Sequence, residues 1–243
     1  MEHQNKITNN IFEGLSKNIP PDAIVKLSRY ANMIHEENQK YNLTGFKSLE
    51  EIAKNLICES IEPLININVP RGTFFVDIGS GAGVPGIPLG ILCPEAQGVL
   101  IDSNTKKTTF MSNAIKILQI SNLSVVNGRA EELAGQPKFN QTVNFIVSRA
   151  LAEPYVALEV GIPMLCISGM MYIFSKFTAD ELEAGIIEHA VKLGAIGIKK
   201  TDMPTYGFPK VGLLFIKNQN TPSEYPRKFS VIKKSSQPFR KQV

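Results

Sequence analysis

Apolar positions follow one spacing up to about residue 70 and another beyond it. In the first stretch Ile7, Ile11, Phe12 and Leu15 recur at helical intervals. Pro21 and Asp22 sit where a helix starts, and Ile24, Leu27, Ala31 and Ile34 then share one face. Ser48-x-x-Glu51 is a capping-box pattern ahead of Ile52, Leu56 and Ile57. No strand pattern precedes Arg71. From Thr73 to Ile78 the chain instead reads as a short buried strand, followed by a Gly/Pro-rich loop and a small helical segment, Ile87–Leu92. Further strands are predicted at Gly98–Ile101 (ending at Asp102), Leu123–Val126, Val143–Ser148, Met170–Phe174, Ile196–Ile198 and Leu213–Ile216. Helices are predicted over Thr105–Ile120 and between Asp180 and Leu193. The longest apolar run, Val156–Phe174, contains Glu159, Gly161, Pro163 and Gly169. A charge and several breakers make it a buried helix followed by a buried strand, not a membrane span.

Strands alternating with helices predict an α/β fold, with a mostly parallel sheet covered on both faces and right-handed crossovers. The organisation expected is a helical N-terminal extension (1–70), an α/β domain (71–218) and a C-terminal tail (219–243) of irregular structure punctuated by Pro222, Pro226 and Pro238.

Composition narrows the class. The chain has 243 residues, 43% hydrophobic and 20% charged, which excludes long disorder and collagen-like repeats. Cys58, Cys93 and Cys166 are odd in number with no C-x-x-C pair, so neither a disulfide framework nor a zinc knuckle is expected. His3, His35 and His189 are scattered, and no metal site is expected. The N-terminus carries no apolar segment of the signal-peptide kind, and a reducing, cytoplasmic setting away from membranes is expected. The net charge of +4 is small, but its distribution is uneven. Residues 1–70 carry −2, residues 71–216 carry 0, and residues 217–243 carry 7 basic and 1 acidic side chains.

The segment Val76-Asp-Ile-Gly-Ser-Gly-Ala-Gly-Val-Pro-Gly86 leaves the first strand and enters a helix. In open α/β sheets this is where cofactors bind, and Gly79, Gly81 and Gly83 admit close backbone approach. Two cofactors compete. Gly81-Ala-Gly-Val-Pro-Gly86 matches the dinucleotide pattern G-x-G-x-x-G, with Asp102 at about the right distance beyond it. Against a dinucleotide, Pro85 removes an N–H from the turn that would cradle a pyrophosphate, and the Asp77 carboxylate would repel one. Asp77-x-Gly79-x-Gly81-x-Gly83 instead resembles motif I of class I S-adenosylmethionine (SAM) methyltransferases. Asp77 would face the ammonium group, and Asp102 would accept hydrogen bonds from the ribose hydroxyls.

Asp77-Ile-Gly-Ser-Gly-Ala-Gly-Val-Pro-Gly-Ile-Pro-Leu89 further resembles the loop of the RsmG (GidB) family of 16S ribosomal RNA guanine-N7 methyltransferases. Five shorter pieces follow the same resemblance: Tyr41-Asn-Leu-Thr44, Asp102-Ser103 with Lys106-Lys107, Arg129-Ala-Glu131, Ser148-Arg-Ala150 and Tyr225-Pro-Arg227. The resemblance implies a class I SAM-dependent methyltransferase, Rossmann-like, with a mostly parallel seven-stranded sheet and a helical extension. It implies SAM as cofactor, held by Asp77, Gly79, Gly81, Gly83, Val84, Asp102, Ser103, Ala130, Glu131 and Arg149. Ala130 and Glu131 would flank the adenine. Arg149 would lie at the cofactor edge facing RNA, and Lys176 at the substrate cleft, making these two the catalytic candidates. Lys106, Arg129 and Arg227 would contact RNA, and the partner would be 16S ribosomal RNA or the small ribosomal subunit.

Some positions depart from the family. Asn55 and Leu56 stand where it has an Arg-His pair, Ser175-Lys176-Phe177 where it tends to Leu-Lys-Gly, and Ser230 and Ile232 where Gly and Pro are expected. The cofactor side is intact and the RNA side eroded, so a paralogue with another RNA target remains open. So do a non-catalytic SAM or nucleotide-binding module and a dinucleotide-dependent oxidoreductase. The chemistry agrees with the first reading. Guanine N7 has a lone pair and no proton, so methylating it needs positioning and electrostatics rather than a base or covalent nucleophile. The fourth strand ends in Ser148-Arg149-Ala150, not the Asn-Pro-Pro-aromatic motif of amine methylation, and no cysteine follows a proline as in pyrimidine C5 methylation. On the family resemblance the basic tail is an RNA-contacting arm whose removal leaves SAM binding nearly unchanged.

Overall fold

The computed structural model describes residues 2–15, 19–65, 67, 72–149, 153–175, 183–202 and 211–235. In chain order the helices are α1 (Glu2–Leu15), α2 (Pro21–Asn38), α3 (Leu49–Glu51), α4 (Glu59–Ile65), α5 (Gly86–Leu92), α6 (Thr105–Ile117), α7 (Ala130–Leu133), α8 (Pro154–Gly161), α9 (Glu183–Lys192) and α10 (Phe229–Ser235). A π-helical stretch, Ile52–Cys58, joins α3 to α4. The strands are β1 (Phe74–Ile78), β2 (Gln97–Asp102), β3 (Leu123–Asn127), β4 (Val143–Arg149), β5 (Leu165–Ser175), β6 (Ala195–Asp202) and β7 (Val211–Lys217). They form a seven-stranded sheet in the order β3-β2-β1-β4-β5-β7-β6. This is the mostly parallel α/β sheet that the alternation of elements predicts.

The chain groups into two compact units: residues 1–73 with 80–127, and residues 74–79 with 128–243. In the first, Phe12, Leu27, Tyr30, Ala31, Ile34, Ile52 and Ile57 are fully buried among the helices. The capping box forms as expected: the Ser48 hydroxyl accepts from the Glu51 amide, and the Glu51 carboxylate accepts from the Ser48 amide. β2 and β3 pair in parallel from Gly98↔Leu123 to Asp102↔Asn127. α6 stops at Ile117, short of the predicted Ile120, because Gln119 turns to a positive φ of 53°.

In the second unit β1, β4 and β5 are parallel, while β7 runs antiparallel to both β5 and β6. The three parallel strands bury Val76, Ile78, Ile146, Val147 and Ile173, the near-continuous apolar pattern of strands covered on both faces. The Val156–Phe174 run resolves into α8, a short 3-10 turn (Ile162–Met164) and β5. β5 starts five residues before the predicted Met170, because it first pairs at Val143↔Leu165 and then shifts register. The tail is not irregular throughout. α10 forms in it, and Ile232 is fully buried.

Lys217 ends β7 with its side chain fully buried, donating from Nζ to the Ile162 carbonyl at 3.1 Å. Burial holds its ammonium to a pKa of about 8, below the ordinary 10.5. The folded chain therefore disfavours the charged form, and stability falls as pH drops from about 10.5 towards 8 and stays low beneath that. Lys217→Met is expected to raise the urea-unfolding free energy by about 1–2 kcal/mol at pH 7. At pH 11, where the amine is neutral in both states, the gain should disappear; a gain of the same size there would contradict this account.

Candidate active site

The glycine-rich chain is held by its own backbone. In the unit containing residues 80–127, the Ser80 amide donates to the Ile101 carbonyl at 3.0 Å and the Gly81 amide to Asp102 Oδ2 at 2.9 Å. Asp102 Oδ1 accepts from the Asn104 amide at 2.9 Å, and Asn104 in turn caps α6 by accepting from the Lys106 and Lys107 amides. Gly81 and Gly83 have φ of 61° and 91°, a region that side chains rarely enter. At Gly83 a Cβ would also sit 2.6 Å from Ile87 Cδ1 and 2.8 Å from the Tyr30 hydroxyl. That hydroxyl donates to the Ala82 carbonyl, so a helix of the N-terminal extension supports the loop directly.

Of the expected residues of this unit, Gly81 and Ser103 adjoin the Asp102 carboxylate. Gly81 is bonded to Asp102, Val84 is buried and bonded back to Ser80, and Ser103 is exposed beside Asp102. Lys106 is exposed, with Nζ 5.7 Å from the Tyr41 ring, while its carbonyl accepts from the Tyr41 hydroxyl at 3.1 Å. Tyr41 therefore rests against α6. Asn38 orders the turn that follows by accepting from the Leu43 and Thr44 amides and donating to the Phe46 carbonyl.

In the other unit, Asp77 is fully buried near the end of β1 and Gly79 follows with φ of 70°. Asp77 is in register with Val147, and the Ser148 hydroxyl donates to the Ile78 carbonyl at 3.1 Å. Continuing that register puts Gly79 and Arg149 level at the carboxyl ends of adjacent strands. Arg149 is only 5% exposed, and its guanidinium lies 5.8 Å from the Phe174 ring, its neighbour on β5. Ala130 and Glu131 open α7. Arg129 pairs with Glu131 at 3.6 Å and lies 5.8 Å from the Phe229 ring. Lys176 lies outside the described residues.

Arg227, expected to contact RNA, is engaged by a carboxylate of the fold. Its Nε and Nη2 donate to Glu159 Oε1 and Oε2 at 2.7 and 2.6 Å, and its amide donates to Oε1 at 3.1 Å. The guanidinium expected to meet RNA is thus bound to a fully buried carboxylate. Glu159 also lies 3.5 Å from His189, which stacks on Tyr155. Burial pushes the His189 imidazole down to a pKa of about 4, against the pull of Glu159, so it is neutral at neutral pH. Arg227 is left as the counter-charge in that cluster.

Comparison with known proteins decides among the families. The model of the family described as rRNA small subunit methyltransferase G matches residues 23–200. The chain belongs to this family. Among its relatives, the ribosomal RNA small subunit methyltransferase G of Desulfitobacterium hafniense (strain Y51) is 32% identical, over 93% of this chain and 95% of that protein. The protein of that name from Carboxydothermus hydrogenoformans is 33% identical, over 92% and 95%. Among solved structures, a SAM-dependent methyltransferase from Aquifex aeolicus shares the fold, with a TM-score of 0.51 at 21% identity, over 64% of this chain and 88% of that one. The methyltransferase G family thus carries here the class I SAM-dependent methyltransferase fold. No group of metal-binding side chains occurs among the described residues. No described helix is long and apolar enough to cross a membrane.

The sequence reading missed Tyr30, Asn104, Glu159 and Phe229. Glu159 left a signal, as a lone carboxylate inside an otherwise apolar run, and Asn104 another, as a capping residue directly before the predicted helix start at Thr105. Gly83→Ala tests the loop geometry. It places a side chain at φ of 91° against Ile87 and Tyr30, and should cost about 1–3 kcal/mol in urea unfolding. A variant as stable as the parent would show that the loop tolerates a Cβ there.

Proposed function

We propose that this chain transfers the methyl group of SAM to N7 of a guanine in 16S ribosomal RNA of the small ribosomal subunit, in the cytoplasm. The observation that carries the reading is the intact loop geometry in a chain of this family: the Gly81 amide bound to Asp102, with glycines at positive φ on either side of it. The residues fit SAM better than a dinucleotide. The Asp102 carboxylate accepts one backbone amide on each oxygen and keeps acceptor capacity for ribose hydroxyls. Asp77 supplies a buried negative charge suited to an ammonium group, where a pyrophosphate would be repelled. Ala130 and Glu131 would flank the adenine, and Gly79, Gly81, Gly83, Val84 and Ser103 would line the rest.

When bound, SAM supplies a sulfonium-activated methyl that guanine N7 takes up with its lone pair, releasing the thioether. The protein has no proton to remove, so its task is alignment and charge. Arg149 is the foremost candidate for that task. Its guanidinium lies over the Phe174 ring, and a planar cation at the strand end can lie against a base or grip a phosphate. Lys176 is the second candidate, and Lys106 and Arg129 are exposed enough to meet phosphates.

Mass spectrometry of small-subunit RNA from cells with and without the protein should map one N7-methylguanine that depends on it. Label transferred only to protein or to a small molecule would overturn the substrate. Arg149→Lys keeps the charge and loses the planar fork; it should lower kcat for RNA methylation at least tenfold while the melting temperature falls by only a few degrees. Parental kcat in this variant would remove Arg149 from the reaction.

A further inference from the structure

The chain after β7 runs as a strap over the unit formed by residues 74–79 and 128–243. The Asn218 and Gln219 amides both donate to the Gly194 carbonyl at 3.0 Å, and the Thr221 hydroxyl donates to the Leu193 carbonyl at 2.8 Å. Arg227 then closes on Glu159 through three hydrogen bonds, two from the guanidinium and one from the backbone. Two residues later Phe229 places its ring beneath the Arg129 guanidinium, and the buried Ile232 anchors α10. Arg129 is the residue immediately before Ala130 and is itself paired with Glu131. The strap therefore ends on the turn that, in the reading above, flanks the adenine of SAM.

We infer that Arg227 and Phe229 are positioning residues for the cofactor. The Arg227–Glu159 clasp fixes the strap, and Phe229 then holds Arg129 so that the Ala130–Glu131 turn keeps its cofactor-binding shape. The inference rests on the proposed SAM site but not on the identity of the RNA. The pairing is specific in its chemistry. A bidentate guanidinium–carboxylate pair fixes orientation as well as distance, which an ammonium cannot do. A guanidinium over an aromatic face is held by the ring's charge distribution and needs no hydrogen bond. The basic character of residues 217–243 therefore has an internal use at Arg227. On this inference the strap is coupled to the adenine side of the site, whereas the family resemblance implies that removing the tail leaves SAM binding nearly unchanged.

The test uses the full chain and isothermal titration with SAM and with 5′-methylthioadenosine, which retains the adenosine part but lacks the amino-acid end. Phe229 is partly exposed, so Phe229→Ala should stay folded. It should weaken both ligands about three- to tenfold, with a nearly unchanged melting temperature. Phe229→Tyr, which keeps the aromatic face, should restore the parental Kd; a merely structural role predicts no such split. Arg227→Lys should weaken both ligands in the same direction. A Kd for SAM in Phe229→Ala equal to the parent's, or no rescue by Phe229→Tyr, overturns the inference while leaving the proposed function intact. A parent chain that binds SAM but leaves small-subunit RNA unmethylated overturns the RNA reading, and the strap measurements still decide the inference. A parent that binds no SAM overturns both.

Discussion

The structure depends on a backbone that must turn sharply after β1 while leaving no buried amide unsatisfied. Unpaired amides at such a place would each cost about 1–3 kcal/mol. The end of the second strand meets that demand. The Ile101 carbonyl takes the Ser80 amide, and the Asp102 carboxylate takes the amides of Gly81 and Asn104. One side chain thereby ties the loop to the start of α6. Glycines then allow φ values that a side chain would forbid, and Tyr30 closes the turn from behind. With one amide on each oxygen, the Asp102 carboxylate still keeps acceptor capacity for a ligand's hydroxyls.

Local rules make much of this readable in the sequence. The capping box at Ser48 and Glu51 depends on residues three apart, and it forms as the spacing predicts. The glycine loop was legible because few other sequences permit that turn, and the parallel strands because burial on both faces leaves an apolar run. Interactions between distant positions were not legible. Glu159 and Arg227 are far apart in the chain, and no periodicity links them. Tyr30 and Ala82 are likewise distant in the chain, and nothing in the spacing of that helix marks the hydroxyl that reaches the loop. The beginning of β5 was obscured by Pro163 and Gly169, which mark a turn and a register shift rather than the absence of a strand.

Charge counted along the sequence gave a different picture from charge placed in space. The excess in residues 217–243 suggested an arm available to a polyanion. In the fold, Arg227 answers a carboxylate that has no exposure to solvent, beside a neutral His189. Breaking such a pair from one side leaves a buried charge uncompensated, which commonly costs about 3–5 kcal/mol. The pair is thus better understood as a latch than as a source of net stability. Lys228, Lys233 and Lys234 remain on the strap as candidates for solvent-facing work.

The hydroxyls of Tyr30 and Tyr41 have a practical consequence. One reaches the Ala82 carbonyl in the glycine loop and the other the Lys106 carbonyl in α6. Anyone wishing to retarget such an enzyme by splicing on a foreign N-terminal module would sever both bonds at the splice. The leading helices are therefore not an interchangeable adaptor, and a chimera would have to carry both tyrosines with it.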